Sequence, residues 1–120
     1  MAGRPKKTES WKRYAKIRYS ADLRGKDFAL SYTQYIPLYG KPCEYCGKVS
    51  DDNGLDRVDS DKGYYIDNVV SCCHHCNIMK YTYSTEDFLY HCKKIINHSR
   101  QSARLAELNK IVDDALNRNG

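Results

Sequence analysis

Two Cys-x-x-Cys pairs, Cys43 with Cys46 and Cys73 with Cys76, have the residue type and spacing in this chain that most directly imply chemistry. Two residues between thiols let one tight turn, or the first turn of a helix, aim both sulfurs at a single ion. Two such pairs complete a tetrahedron, which predicts Zn²⁺ on Cys43, Cys46, Cys73 and Cys76. With four thiolates and no open position for water, that ion would be structural. The 26 residues between the pairs exceed the usual zinc-ribbon spacing, so something else is built there. Asp56, Asn68 and Asn77 occur at intervals from which a strand, a loop and a helix start could converge on a second metal. A carboxylate and an amide oxygen are hard ligands, so Asp56 and Asn77 suit Mg²⁺ or Mn²⁺ better than zinc.

The elements that must position these residues are short. Leu55–Asp59 reads as a strand, Ser60–Gly63 as a turn, Val69–Ser71 as a second strand, and a helix is predicted from about Cys73. That is a β-β-α order whose ends the thiols staple together. Gly47, after the second cysteine, suits a positive-φ turn position. Upstream, Thr8 to about Leu23 has a helical pattern, with Thr8 or Ser10 as cap, Glu9 in the first turn and Gly25 as stop. Trp11, Tyr14, Ala15, Ile17 and Leu23 would supply its packing side. Downstream, Phe88, Leu89, Cys92, Ile95 and Ile96 recur at helical intervals, predicting a helix that closes the core. A last helix from about Ser102 carries a stripe of Leu105, Leu108, Ile111, Val112, Ala115 and Leu116. Cys72 and Cys92 remain as spare thiols.

The 120 residues carry a net charge of +5, unevenly spread. Residues 1–42 hold +7, residues 43–98 hold −3 and residues 99–120 hold +1. A basic arm ahead of an acidic middle fits a protein that attracts a polyanion with one segment and holds cations with another. Arg4, Lys6 and Lys7 in the first seven residues, a stretch expected to be disordered, and Lys12, Arg13 and Lys16 on the first helix are the expected contacts to such a polyanion, DNA being the candidate. Lys80, one turn after Asn77, is a further candidate for a phosphate. The opening residues are basic and polar, without the apolar core of a secretory signal, and no run reaches transmembrane length. The expectation is a reducing, cytoplasmic setting without a membrane partner, where paired thiols hold metal rather than form disulfides.

Cys-x-Tyr-Cys-Gly, Leu-Asp-Arg-Val-Asp, Lys-Gly-Tyr, Asp-Asn-Val-Val and Cys-x-x-Cys-Asn-x-x-Lys together resemble the HNH endonucleases, the ββα-metal nucleases, in the zinc-stapled form of bacteriophages and mobile elements. The resemblance covers Cys43 to about Ile96 and is specific as a set. It implies that Asp56 is the strand carboxylate on the catalytic metal, that Asn77 supplies its other ligand, and that Asn68 holds the loop by hydrogen bonds. Arg57 stands where the family's first histidine, the general base, belongs. A guanidinium cannot be a base at neutral pH, but it can grip a phosphate bidentately. Water activation then falls to Asp59, His74, His75, a tyrosine or metal-bound hydroxide.

The expected architecture is therefore α+β: a small ββα-metal core with a four-cysteine zinc site, flanked by a basic N-terminal helix and C-terminal helices. Its segments are a basic arm (1–7), a basic helical segment (8–40), the nuclease domain (41–98) and an amphipathic helix (99–120). The expected activity is divalent-metal-dependent hydrolysis of DNA phosphodiester bonds, in the host cytoplasm if the chain is phage-encoded. The rival reading is a catalytically silent zinc-stapled DNA- or protein-binding module of the same fold. Monomer and homodimer both stay open.

Overall fold

The computed structural model describes residues 8–119, so the basic arm with Arg4, Lys6 and Lys7 lies outside the described residues. The first helix, α1, spans Glu9–Leu23. The Thr8 hydroxyl accepts from the Trp11 N–H at 3.2 Å, answering one of the donors a helix start leaves unpaired. Gly25, at φ +67°, turns the chain out after its end. The helix buries Tyr14 and Ala21, with Trp11 and Ile17 partly buried beside them. Ala15 and Leu23, expected on that side, are exposed, because the buried line runs through Tyr14 and Ala21, two turns apart.

A short helix, α2 (Tyr32–Tyr35), follows under a capping box of Ser31 and Gln34, and Pro37 then draws the chain into a 3₁₀ turn over Ile36–Leu38. Tyr14, Leu30, Tyr35, Leu55, Tyr64 and Val69 join Ala21 in one core, with edge-to-face and tilted ring contacts through Tyr14. The Tyr14 hydroxyl, buried there, donates to the Leu30 carbonyl at 2.7 Å. The tyrosines thus bury their rings and satisfy the polar tip inside.

Strands β1 (Gly54–Arg57) and β2 (Val69–Cys72) form an antiparallel pair in which Asp56 lies opposite Val70 and Arg57 opposite Val69. Helix α3 (His74–Lys80) follows, with Cys73 as its N-cap. Two strands alone are marginal in water. Here the loop between them is tied down at several points. Asn68 accepts the Asp59 N–H and donates to the carbonyls of Asp59 and Gly63, at 2.9–3.0 Å. Gly63 is needed because a Cβ at that position would come within 2.6 Å of the Asp27 carbonyl oxygen. That close approach lets the Tyr64 N–H bond to Asp27 and the Ala29 N–H bond to Tyr64, joining the segment after α1 to the loop.

This first compact unit ends at Ser84, and a second begins at Thr85. The second contains α4 (Thr85–Ser99) and α5 (Ala103–Asn119), linked by a bond from Asn109 to the Ser99 hydroxyl at 2.9 Å. Helix α4, expected from its apolar period to close the core, belongs to this second unit, where Phe88 is buried and Leu89, Ile95 and Ile96 are exposed. Among the described residues no helix is long and apolar enough to cross a membrane.

Candidate active site

The cysteine turn and the strands are built as one piece. Gly47 adopts φ +79° and returns its N–H to the Cys43 carbonyl, while the Cys43 N–H bonds to Lys48. The Glu44 N–H reaches the Ser71 carbonyl on β2, and the Ser71 hydroxyl reaches back to the Lys41 carbonyl. This brings Cys43 and Cys46 against Cys73 and Cys76 at the start of α3, with all four sulfurs within 4.8 Å of one another. Cys46 and Cys73 sulfurs are 3.6 Å apart. A tetrahedron with metal–sulfur bonds of about 2.3 Å has edges of about 3.8 Å, so the four cysteines fit a metal ion. Burial pushes the Cys43 thiol up, but backbone hydrogen bonds from Cys73, Cys46 and Tyr45 outweigh it and bring it down to about 6. Burial pushes Cys76 up, and Cys72 likewise. Cys72 packs beside the cluster, its sulfur donating to the Cys73 carbonyl, and is not one of the four.

A groove runs between α1 and the ββα element. Asp56, Arg57 and Asn77 line it together, with Ser20, Arg24, Leu55, Ser60, Tyr64, Tyr81 and Thr82. Its continuation along α1 is lined by Arg13, Lys16, Ile17 and His74. Asn77 turns its amide nitrogen toward the Leu55 carbonyl on β1, at 3.5 Å. Arg57 Nη1 donates to the carbonyls of Ser60 and Lys62 at 2.8 and 3.0 Å, anchoring one edge of the guanidinium to the loop. Arg24 donates to the Tyr64 hydroxyl at 2.6 Å, and the Tyr64 ring lies near both guanidinium groups.

The expected residues divide clearly by position. Asp56, Arg57 and Asn77 share the groove, and Asn68 is not among its lining residues, its amide being bonded within the loop. Arg13 and Lys16 flank it. Lys12 instead meets Glu9 on the exposed side of the helix at 3.2 Å and is not among the lining residues. Lys80 needs correcting as a phosphate contact. It is 0 % exposed, with its ammonium 3.2 and 3.3 Å from the two oxygens of Asp56, because its place on α3 turns it inward toward β1. Of the alternative bases, His74 and two tyrosines, Tyr64 and Tyr81, reach the groove, whereas Asp59 turns back to the Asp61 N–H and His75 is not among the lining residues. Arg24, Tyr64 and Tyr81 are groove residues that sequence reasoning did not single out. Tyr81 carried no sequence signal, yet it is the one non-glycine at positive φ (+53°) among the described residues and is 72 % exposed. Strained backbone beside a groove is the kind of feature that only coordinates reveal.

No family model matches this sequence. An uncharacterized protein of Acanthamoeba polyphaga mimivirus is 33% identical over 108 residues, covering 88% of this chain but 19% of that protein. The chain thus spans about a fifth of the length of the relative it matches. Among solved structures, the rare-cutting HNH restriction endonuclease PacI superimposes with a TM-score of 0.63 at 23% identity, over 86% of this chain and 89% of that one. The chain therefore has the fold of an HNH endonuclease.

Proposed function

We propose that the chain is a divalent-metal-dependent DNA endonuclease of the HNH type. The observation that carries the reading is that Asp56 and Asn77 share one groove with Arg13, Lys16, Arg24 and Arg57. Hard oxygen ligands and a row of cations in one groove match a phosphodiester backbone and the ion that helps to break it. Zinc, the ion that four thiolates select, would occupy the cysteine site and hold the turn to α3. A Mg²⁺ or Mn²⁺ ion on Asp56 and Asn77 would neutralise phosphate charge and stabilise the leaving oxygen. Arg57, fixed through Nη1, holds its remaining donors for the scissile phosphate. Arg13, Lys16 and Arg24 hold the flanking backbone, and His74, Tyr64 and Tyr81 are the groove residues to which water activation would fall.

One observation favours a silent DNA-binding module instead: Asp56 is already neutralised by buried Lys80. Plasmid cleavage separates the two. With Mg²⁺ or Mn²⁺ the purified protein should nick or linearise supercoiled DNA, and EDTA, Asp56→Ala or Asn77→Ala should abolish it. DNA retention without cleavage under either metal would sink the nuclease reading and leave the silent module.

A further inference from the structure

Asp56 is held from two sides before any cation reaches it. Tyr45 lies between Cys43 and Cys46 with its ring packed on the cysteine cluster, and its hydroxyl donates to Asp56 Oδ2 at 2.6 Å. Lys80 enters from α3, its ammonium 3.2 Å from Oδ2, 3.3 Å from Oδ1 and 3.4 Å from the Arg57 carbonyl. A carboxylate offers about four lone-pair positions. Oδ2 therefore accepts two donors and Oδ1 one. Both partners are themselves constrained, Tyr45 by the cysteine turn and Lys80 by complete burial. The carboxylate is thus gripped from a turn whose cysteines fit a different metal ion.

We infer that Tyr45 and Lys80 form a two-point clamp on Asp56 that leaves Oδ1 as its single oxygen for a divalent cation, so that the cysteine turn governs cation binding in the groove. The inference rests on the nuclease reading, in which Asp56 is a cation ligand. Tyr45 is a positioning residue in this scheme and touches neither DNA nor cation. Outer partners of this sort usually change metal affinity or activity by about 10- to 100-fold.

The test titrates Mn²⁺ into zinc-loaded protein without DNA, reading free Mn²⁺ by electron paramagnetic resonance for wild type, Tyr45→Phe and Asp56→Ala. Phenylalanine keeps the ring on the cysteine cluster and removes only the hydroxyl; zinc content and thermal unfolding are followed alongside. Tyr45→Phe should weaken Mn²⁺ binding by about 10-fold or more, with zinc content and duplex affinity in EDTA unchanged. Equal Mn²⁺ affinity in wild type and Tyr45→Phe, with Asp56→Ala weaker than both, would overturn the clamp and leave the nuclease reading standing. Mn²⁺ binding unaffected by Asp56→Ala would overturn that reading and the clamp with it. A second measurement needs no variant at Tyr45. With ¹¹³Cd in the cysteine site, Mg²⁺ should shift the cadmium resonance of wild type and not of Asp56→Ala, and an unmoved resonance counts against the coupling.

Discussion

Replacing Lys80 with methionine tests how much of the fold depends on the pair behind the groove. Methionine has nearly the same length and is apolar, so the substitution removes the charge and hydrogen bonds while roughly filling the volume. The Lys80 side chain is 0 % exposed and that of Asp56 is 4 % exposed, so little solvent is available to take over the lost contacts. Removing one partner of such a pair leaves the other buried and uncompensated, at a cost of about 3–5 kcal/mol. Tyr45 still donates to Asp56, which places the expected loss near the lower end, about 3 kcal/mol. For a small domain this lowers Tm by more than about 10 °C. Urea unfolding of the zinc-loaded protein measures it directly, and the loss should be similar at low and high salt because the pair is enclosed. Adding Asp56→Asn should recover part of the stability, since the amide no longer needs a counter-charge. A loss below about 1 kcal/mol, the range of exposed ion pairs, would refute the reasoning. So would a loss that the second substitution deepens.

Three further outcomes follow from the geometry. Arg13→Ala with Lys16→Ala should weaken duplex binding and make the slope of log affinity against log salt shallower by about 2, whereas Lys12→Ala should leave both nearly unchanged; fluorescence anisotropy across a salt series measures this. Cys72→Ala should retain one equivalent of tightly bound zinc per chain by elemental analysis, and Cys73→Ala should lose it, although both cysteines are buried neighbours. Tyr35, in the core, is pushed up by burial from 10.0 to about 12. A raised pKa means that the folded state keeps the proton longer than the unfolded chain does, so stability is fully present below about pH 10 and falls as pH rises toward 12. Tyr35→Phe should flatten that fall in urea midpoints measured across the same pH range, and an unchanged slope would count against it.

The ββα element was legible because its signals are local. Cysteine spacing, Gly47 after the second thiol, Gly25 after α1 and Thr8 before it each act within a few residues, and each has the conformation its type demands. The groove was less legible because it is assembled across α1, β1 and α3. Arg24, just past the end of α1, has no local signal of a role, yet it meets Tyr64, 40 positions away. Lys80 misled for a related reason. A lysine one turn after a candidate metal ligand reads as a phosphate contact on base rates, since lysine is seldom buried. What overrides the base rate is Asp56 on the adjacent strand, a partner that sequence separation of 24 residues conceals.

The charges around Asp56 bear on how a cation would be captured. Four cationic side chains, Arg13, Lys16, Arg24 and Arg57, line the groove, and Asp56 is its one acidic lining residue, already facing Lys80. A divalent ion approaching the protein alone meets a net positive surface and two protein ligands, which predicts weak binding. A bound duplex reverses that balance, because its phosphates neutralise the arginines and add oxygen ligands of the kind Mg²⁺ and Mn²⁺ favour. Linkage then requires each to strengthen the other, typically by about 5- to 150-fold for coupled sites. Mn²⁺ affinity measured with a phosphorothioate duplex present should exceed that of the protein alone by about tenfold or more, and duplex affinity should rise equally with Mn²⁺. Equal Mn²⁺ affinity with and without duplex would mean that the cation and the phosphates do not share this groove.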